Sequence, residues 1–242
     1  MQQALVRDFF DQIALGYNDR YEPQRPFHHY LFAERLRAAQ EGLPLEGARV
    51  LDVGAGTGPL YEAFTGRGLQ VDYHACDVSP AMLAQSRIPA GRYQVGPLES
   101  TTYAAERFDY LFALGLTTYL LPEELDRLLN RLPNLLYPGG TAVLSFTYQS
   151  GLNWQIRQAL APAARKLRAG GLMLSQKFET RAYTPQEITA RMPAPLQLQE
   201  IRWLTPCLPL LSRWWPQVGI PLARRLAHPR LYSDFLILIQ QP

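Results

Sequence analysis

With 242 residues, 47% hydrophobic and 19% charged, the chain has an ordinary globular composition and enough length to bury a sizeable core. No apolar run approaches the roughly 20 residues of a spanning helix, and no charged region leads into an apolar stretch at the N-terminus, so a cytoplasmic protein is expected. Two cysteines, Cys76 and Cys207, can form neither a disulfide framework nor a metal-ligand set, and the net charge of +3 is modest although the chain beyond Arg157 is locally basic.

Leu5, Val6, Phe9, Phe10 and Ile13 recur at helical spacing and predict a first helix, and a second is expected from about Phe27 to Gln40, stopping near Gly42. ARVLDVG, Ala48 to Gly54, reads as a short buried strand that ends in glycines, and Leu60 and Phe64 begin the inner face of a helix closed by Gly66 or Gly68. VDYHACDV is the second strand, followed by Ser79 as an N-cap and Pro80 in the first helical turn. RYQVGP and FDYLFALG supply two more strands. Pro122, Glu123 and Glu124 open a helix whose face is Leu125, Leu128, Leu129 and Leu132, and Gly139 and Gly140 break it before a fifth strand, TAVLSF. LQLQEIRWL and YSDFLILIQ complete seven. Strands separated by helix-length segments imply a mostly parallel sheet covered on both faces, with two segments left over, about 147–184 and 205–231.

The chemistry is carried by VLDVGAGTGPL. Gly54, Ala55, Gly56, Thr57 and Gly58 form a turn between strand and helix where main chain can come into contact with a ligand that side chains would obstruct. Such a turn alone is common to several nucleotide-binding folds. Asp77, at the end of the second strand, adds a carboxylate placed to accept from both hydroxyls of a ribose.

With VLDVGAGTG, the acid of ACDVSPAML, the strand FDYLFALG and LLYPGGTAVLS in register, the sequence resembles the class I S-adenosylmethionine (SAM) dependent methyltransferases. The resemblance implies a Rossmann-like α/β fold, SAM as cofactor and S-adenosylhomocysteine (SAH) as product. It implies that Gly54, Ala55, Gly56 and Gly58 border the methionine and ribose, that Asp52 helps bind the methionine amino group, and that Asp77 holds the ribose diol. Val78 and Met82 would flank the adenine, and main chain around Ala113 to Leu116, with Leu114, would line the sulfonium side. The acid that often follows the third strand is absent: Pro97 and Leu98 stand there, so either Glu99 substitutes or main chain serves the adenine. Losing Asp77 is expected to weaken SAM binding by about 1–3 kcal/mol while barely altering folding.

FFDQIALGYNDRYE resembles the lid segment of small-molecule methyltransferases and makes Tyr17 a candidate for the SAM carboxylate and Tyr21 a lid residue with a catalytic role. By analogy with that lid, His28 or His29 would be the base if the acceptor is a hydroxyl; each tyrosine and histidine also has a plain packing role open to it. The acceptor is expected to be a small, apolar or lipid-like biosynthetic molecule, with the methylated atom open. Nucleic acid is disfavoured because ALGLTTYL replaces the Pro-Pro-aromatic signature of base methyltransferases.

The segment 205–231, with Trp214 and Trp215, prolines, leucines and arginines, has three readings: a cap on an apolar acceptor pocket, which is preferred, a contact with a membrane surface or carrier protein, or a dimer contact. The chain, 1–242, is thus read as a single domain with a helical lid (1–46), a SAM-binding core (47–146) and cap insertions (147–184 and 205–231). Two rival functions are an NAD-dependent oxidoreductase, disfavoured because GAGTGP lacks the third fingerprint glycine, and a SAM-binding protein without turnover.

Overall fold

The computed structural model describes residues 2–166 and 178–242. Its centre is one seven-stranded sheet of order β3-β2-β1-β4-β5-β7-β6. Strands β1 (Arg49–Val53), β2 (Asp72–Asp77), β3 (Tyr93–Val95), β4 (Phe108–Ala113) and β5 (Leu136–Thr147) are parallel, and β7 (Tyr232–Gln240) runs antiparallel between β5 and β6 (Gln197–Pro206). The first five strands are joined by crossovers, as parallel pairing requires, whereas β7 alone runs against the other six. Inserting β7 there departs from the 3-2-1-4-5-6 order of dinucleotide-binding sheets, which argues against the NAD reading on topology.

Alternation along the strands builds two cores. On one face, Leu51 and Val53 of β1, Leu144 and Phe146 of β5, and Phe235, Ile237 and Ile239 of β7 pack under the leucines of α5 (Pro122–Leu135). On the other, Val50, Phe112, Val143, Leu236 and Leu238 pack under α2 (Pro26–Gln40) and α3 (Pro59–Gly66). Because both faces are covered, the central strands read as continuous apolar runs. Helix α1 (Gln2–Ile13) and the two 3-10 turns after it, Ala14–Gly16 and Asn18–Tyr21, form the N-terminal segment that leads to α2.

Three local features differ from the sequence reading. Helix α5 gives way directly to β5 at Leu136, so Gly139 and Gly140 lie inside the strand. The pairing of β4 with β5 jumps there from Phe108↔Leu136 to Tyr110↔Thr141, and a Cβ on Gly140 would lie 2.9 Å from the Tyr137 carbonyl oxygen, so the glycines serve an irregularity of the strand. The first insertion contains α6 (Leu152–Lys166), with 167–177 outside the described residues, and α7 (Pro185–Arg191), not expected from the sequence, follows it. Helix α7 carries a capping box in which Glu187 N–H donates to Thr184 Oγ1 at 3.3 Å and Thr184 N–H to Glu187 Oε2 at 2.7 Å. The second insertion is a pair of short helices, α8 (Pro209–Trp214) and α9 (Pro216–Leu226), with a 3-10 turn, Pro229–Leu231, leading into β7.

Candidate cofactor-binding site

Glycines 54, 56 and 58 all adopt left-handed backbone, with φ of 77°, 56° and 76°. The Gly54 and Ala55 N–H groups donate to the Cys76 carbonyl at 2.8 and 3.2 Å, which ties the turn to the end of β2. Space is as limiting as φ: a Cβ on Gly54 would meet Leu116 Cβ at 3.1 Å, and one on Gly56 would meet Met82 Cε at 3.3 Å. The turn is therefore a main-chain cradle at the carboxyl end of β1, the crevice where open α/β sheets bind ligands.

Asp77 closes the second side. Its Oδ2 accepts from Gly56 N–H and its Oδ1 from Ser79 N–H, both at 2.8 Å. Burial raises its pKa, partly opposed by those two N–H donors. A carboxylate has about four acceptor sites, so two hydroxyls can still be received. The expectation that removing Asp77 would leave folding almost untouched is corrected here: the side chain pins the glycine turn to the start of α4 (Pro80–Ala84), and its loss leaves two N–H groups without that acceptor. Ser79 caps α4 as the sequence indicated, accepting from Met82 N–H at 3.1 Å.

Asp52, on β1, is buried, and its Oδ2 accepts from the Tyr73 hydroxyl at 2.6 Å. Burial pushes its pKa up to about 7, the Tyr73 hydroxyl lowering it and Asp77 adding to the rise. Asp52 lines a small cavity with Gly54, Ala55, Leu114, Phe32 and Arg35. Arg35, on α2, was not recognised in the sequence. Its guanidinium lies against Gly115, where a Cβ would meet Nη1 at 3.1 Å, and its Nη2 is 3.6 Å from Asp234 Oδ2 on β7. Its Nε is buried with no hydrogen-bond acceptor among the described residues. A guanidinium and a carboxylic acid facing one cavity match the carboxylate and ammonium of an amino acid.

The N-terminal segment is fastened to both sides of the cradle. Thr57 Oγ1 donates to Asn18 Oδ1 at 2.8 Å, and Asp11 Oδ1 accepts from Ser79 Oγ at 2.5 Å and from Ala81 N–H at 3.2 Å. Asp11 and Asn18 were also missed: Asp11 falls among the polar positions of α1 and Asn18 in the 3-10 turn beyond it, so spacing alone did not single them out. Tyr17 packs edge-on against Phe10 and Tyr21, with centroids 6.1 and 5.3 Å apart, and Tyr21 stacks on Phe32 at 4.5 Å. The Tyr21 hydroxyl donates to that of Tyr17 at 3.4 Å, and burial holds the Tyr17 pKa well above its ordinary value. Both tyrosines thus belong to one aromatic wall that reaches the Asp52 cavity through Phe32.

The remaining candidates fall in different places. Met82 is fully buried beneath Gly56, Val78 is half-buried, and Glu99 is exposed in the 3-10 turn Leu98–Ser100 directly after β3. His28 lines a second cavity with Arg25, Phe27, Arg213 and Trp214, and burial with the neighbouring arginines 213, 25 and 20 lowers its pKa. His29 is exposed, its Nδ1 2.8 Å from the Tyr21 carbonyl oxygen. Neither imidazole lines the cavity at the glycine turn, so the structure does not bring them to the cofactor residues.

Comparison with known proteins agrees with this geometry. The family model described as Methyltransferase domain matches residues 50–140. A ubiquinone biosynthesis O-methyltransferase of Xanthomonas campestris pv. campestris (strain B100) is 30% identical over 204 residues, spanning 80% of this chain and 81% of that protein. Its namesake in Xylella fastidiosa (strain 9a5c) is 40% identical over 81 residues, 34% of this chain and 32% of that protein. The structure of a magnesium protoporphyrin IX methyltransferase from Synechocystis PCC 6803 with bound SAH has the same fold, with a TM-score of 0.62, 14% identity and 100% coverage of both chains. An S-adenosylmethionine dependent methyltransferase from Mesorhizobium loti aligns at a TM-score of 0.57 and 19% identity over 85% of this chain and 95% of its own. The chain belongs to the class I SAM-dependent methyltransferases.

Proposed function

We propose that the chain methylates a hydroxyl of a small aromatic acceptor carrying apolar substituents. The observation that supports this most directly is the wall of Phe10, Tyr17, Tyr21 and Phe32 beside the Asp52 cavity, an apolar, ring-stacking surface suited to a flat partner. The Xanthomonas relative, by its name, is an O-methyltransferase of ubiquinone biosynthesis, a reaction of the same class.

In this reading Arg35 holds the SAM carboxylate, Asp52 the ammonium, Asp77 the ribose diol, and the Gly54–Gly58 main chain the length of the molecule between them. Bound SAM supplies a methyl group already activated on a sulfonium. The protein is left to orient the acceptor and to exclude water, and proximity and orientation can lower a barrier by about 7–11 kcal/mol. Tyr17, kept protonated by its surroundings, serves as a hydrogen-bond donor rather than a base. Neither His28 nor His29 lines the cofactor cavity, and the proton released as the acceptor hydroxyl becomes a methyl ether passes to solvent.

The test is a panel of catechols, phenols, alkylamines and carboxylic acids, each with and without an alkyl tail, incubated with the protein and SAM and followed by mass spectrometry. Methyl ether from tailed catechols or phenols together with stoichiometric SAH is the expected result. Methylation confined to amines or carboxylates would overturn the acceptor reading, and binding of SAM with no transfer to any class would favour a cofactor-binding role without turnover.

A further inference from the structure

Helix α9 is built inside out for a helix on a water-facing surface. It turns its smallest residues inward: Gly219 and Ala223 are buried, and a Cβ on Gly219 would lie 2.4 Å from Ser212 N on α8. Outward, from the N-cap, it carries Trp215, Val218, Leu222 and Leu226 at three- and four-residue spacing, exposed by 58, 52, 40 and 56%. Leu210 and Trp214 of the neighbouring α8 are also exposed, by 62 and 71%. A surface helix ordinarily buries its large apolar stripe, so a stripe left outside marks a contact surface.

Charge decides among the occupants. From Ile201 to Ser233 the sequence has no aspartate or glutamate, while Arg213, Arg224, Arg225 and Arg230 all fall within it. Arg224 is engaged by Glu34 and by the Tyr30 ring, but Arg213, Arg225 and Arg230 have no carboxylate partner among the described residues. A second copy meeting this patch across a two-fold axis would set arginines against arginines. An anionic lipid surface instead receives tryptophans at its interface, leucines among its acyl chains and guanidinium groups at its headgroups. Among the described residues no helix is long and apolar enough to cross a membrane.

We infer that the α8–α9 hairpin docks the protein onto an anionic bilayer surface, with Trp214, Trp215, Val218, Leu222 and Leu226 inserted and Arg213 and Arg225 at the headgroups. This inference takes the membrane contact among the sequence readings in place of the cap on an acceptor pocket that was preferred there.

The whole chain is sedimented with vesicles of equal parts phosphatidylglycerol and phosphatidylcholine, and with phosphatidylcholine alone. Binding to the former with a blue shift of tryptophan emission, and little binding to the latter, is expected. The Arg213→Gln/Arg225→Gln pair should lower the partition coefficient by about thirtyfold, and Leu222→Ser should also lower it, with thermal melting and SAH affinity unchanged. No binding to the anionic vesicles, equal binding to both compositions, or full binding by the arginine pair would overturn the inference. So would a wild-type dimer in solution that Leu222→Ser converts to monomer, since the occupant is then a second copy. SAH affinity is measured on the same samples without vesicles, so failure here is distinguishable from failure of the methyl-transfer reading.

Discussion

Titration of cofactor affinity against pH interrogates the amino-acid end of the site through Asp52. Its carboxyl sits at about 7, raised chiefly by burial. Against an unfolded value of about 3.9, the gap is about three pH units, or about 4 kcal/mol at about 1.36 kcal/mol per unit. The folded value lies above the unfolded one, so the native chain binds more protons between about pH 4 and pH 7. The stability contributed by this group is therefore complete below about pH 4 and is lost as pH rises through about 7. An ammonium held beside Asp52 favours the charged carboxylate, so SAH affinity should rise with pH by up to about tenfold per unit below pH 7 and level off above it. Calorimetry in two buffers of different ionisation enthalpy reads both the affinity and the proton released. Asp52→Asn keeps an oxygen for the Tyr73 hydroxyl and should abolish the slope, with weakened affinity at high pH. A flat wild-type profile, or the same slope in Asp52→Asn, would refute the placement of the ammonium at this residue.

Asp77→Asn should weaken SAH binding by about 1–3 kcal/mol and also lower the melting temperature without ligand, because an amide NH2 must face the N–H of Gly56 or Ser79; an unchanged melt would contradict the bonding described for this turn. Asn18→Ala removes the acceptor of Thr57 Oγ1 and should speed SAH dissociation by an amount equivalent to about 1 kcal/mol, read by stopped-flow. Gly219→Ala forces a Cβ into Ser212 and should cost about 1–3 kcal/mol in a denaturant melt while leaving SAH affinity alone.

What was legible in the sequence is what local spacing encodes. The strand-to-helix glycine turn, the Ser79 cap and the acid ending β2 each depend on neighbours within a few residues, and each lies where the pattern put it. Both faces of β7 are covered, which is why YSDFLILIQ shows so little alternation. The start of β5 was misplaced because glycines read as a break also serve as an irregularity within a strand. Helix α7 was passed over although Thr184, Pro185 and Glu187 spell its cap, because it is a short element between the insertion ending at 184 and the strand LQLQEIRWL. The histidines were placed by analogy alone: His28 lies four residues before Phe32, about 6 Å along α2, and lines not the Asp52 cavity but the one lined by Arg213 and Trp214.

Arg35 was hidden for a different reason, which lies in the surroundings of α2. Phe32, Arg35 and Leu36 face the cavity at the glycine turn, Ala38 and Ala39 pack into the core, and Tyr30 and Glu34 hold Arg224 of α9. The end of the helix is gripped by Arg202 of β6, whose Nη1 donates to the carbonyls of Ala38 and Glu41 at 2.6 and 2.8 Å. A helix engaged on so many sides has no single apolar stripe, and its polar residues look like an ordinary wet face until the partners are placed. Glu34 and Arg35 then prove to be neighbours with opposite tasks: the first reaches the hairpin that carries the exposed tryptophans, and the second reaches Asp234 and the cofactor cavity. The same helix therefore lines the Asp52 cavity and seats α9, so a disturbance of its packing is expected to be felt at both.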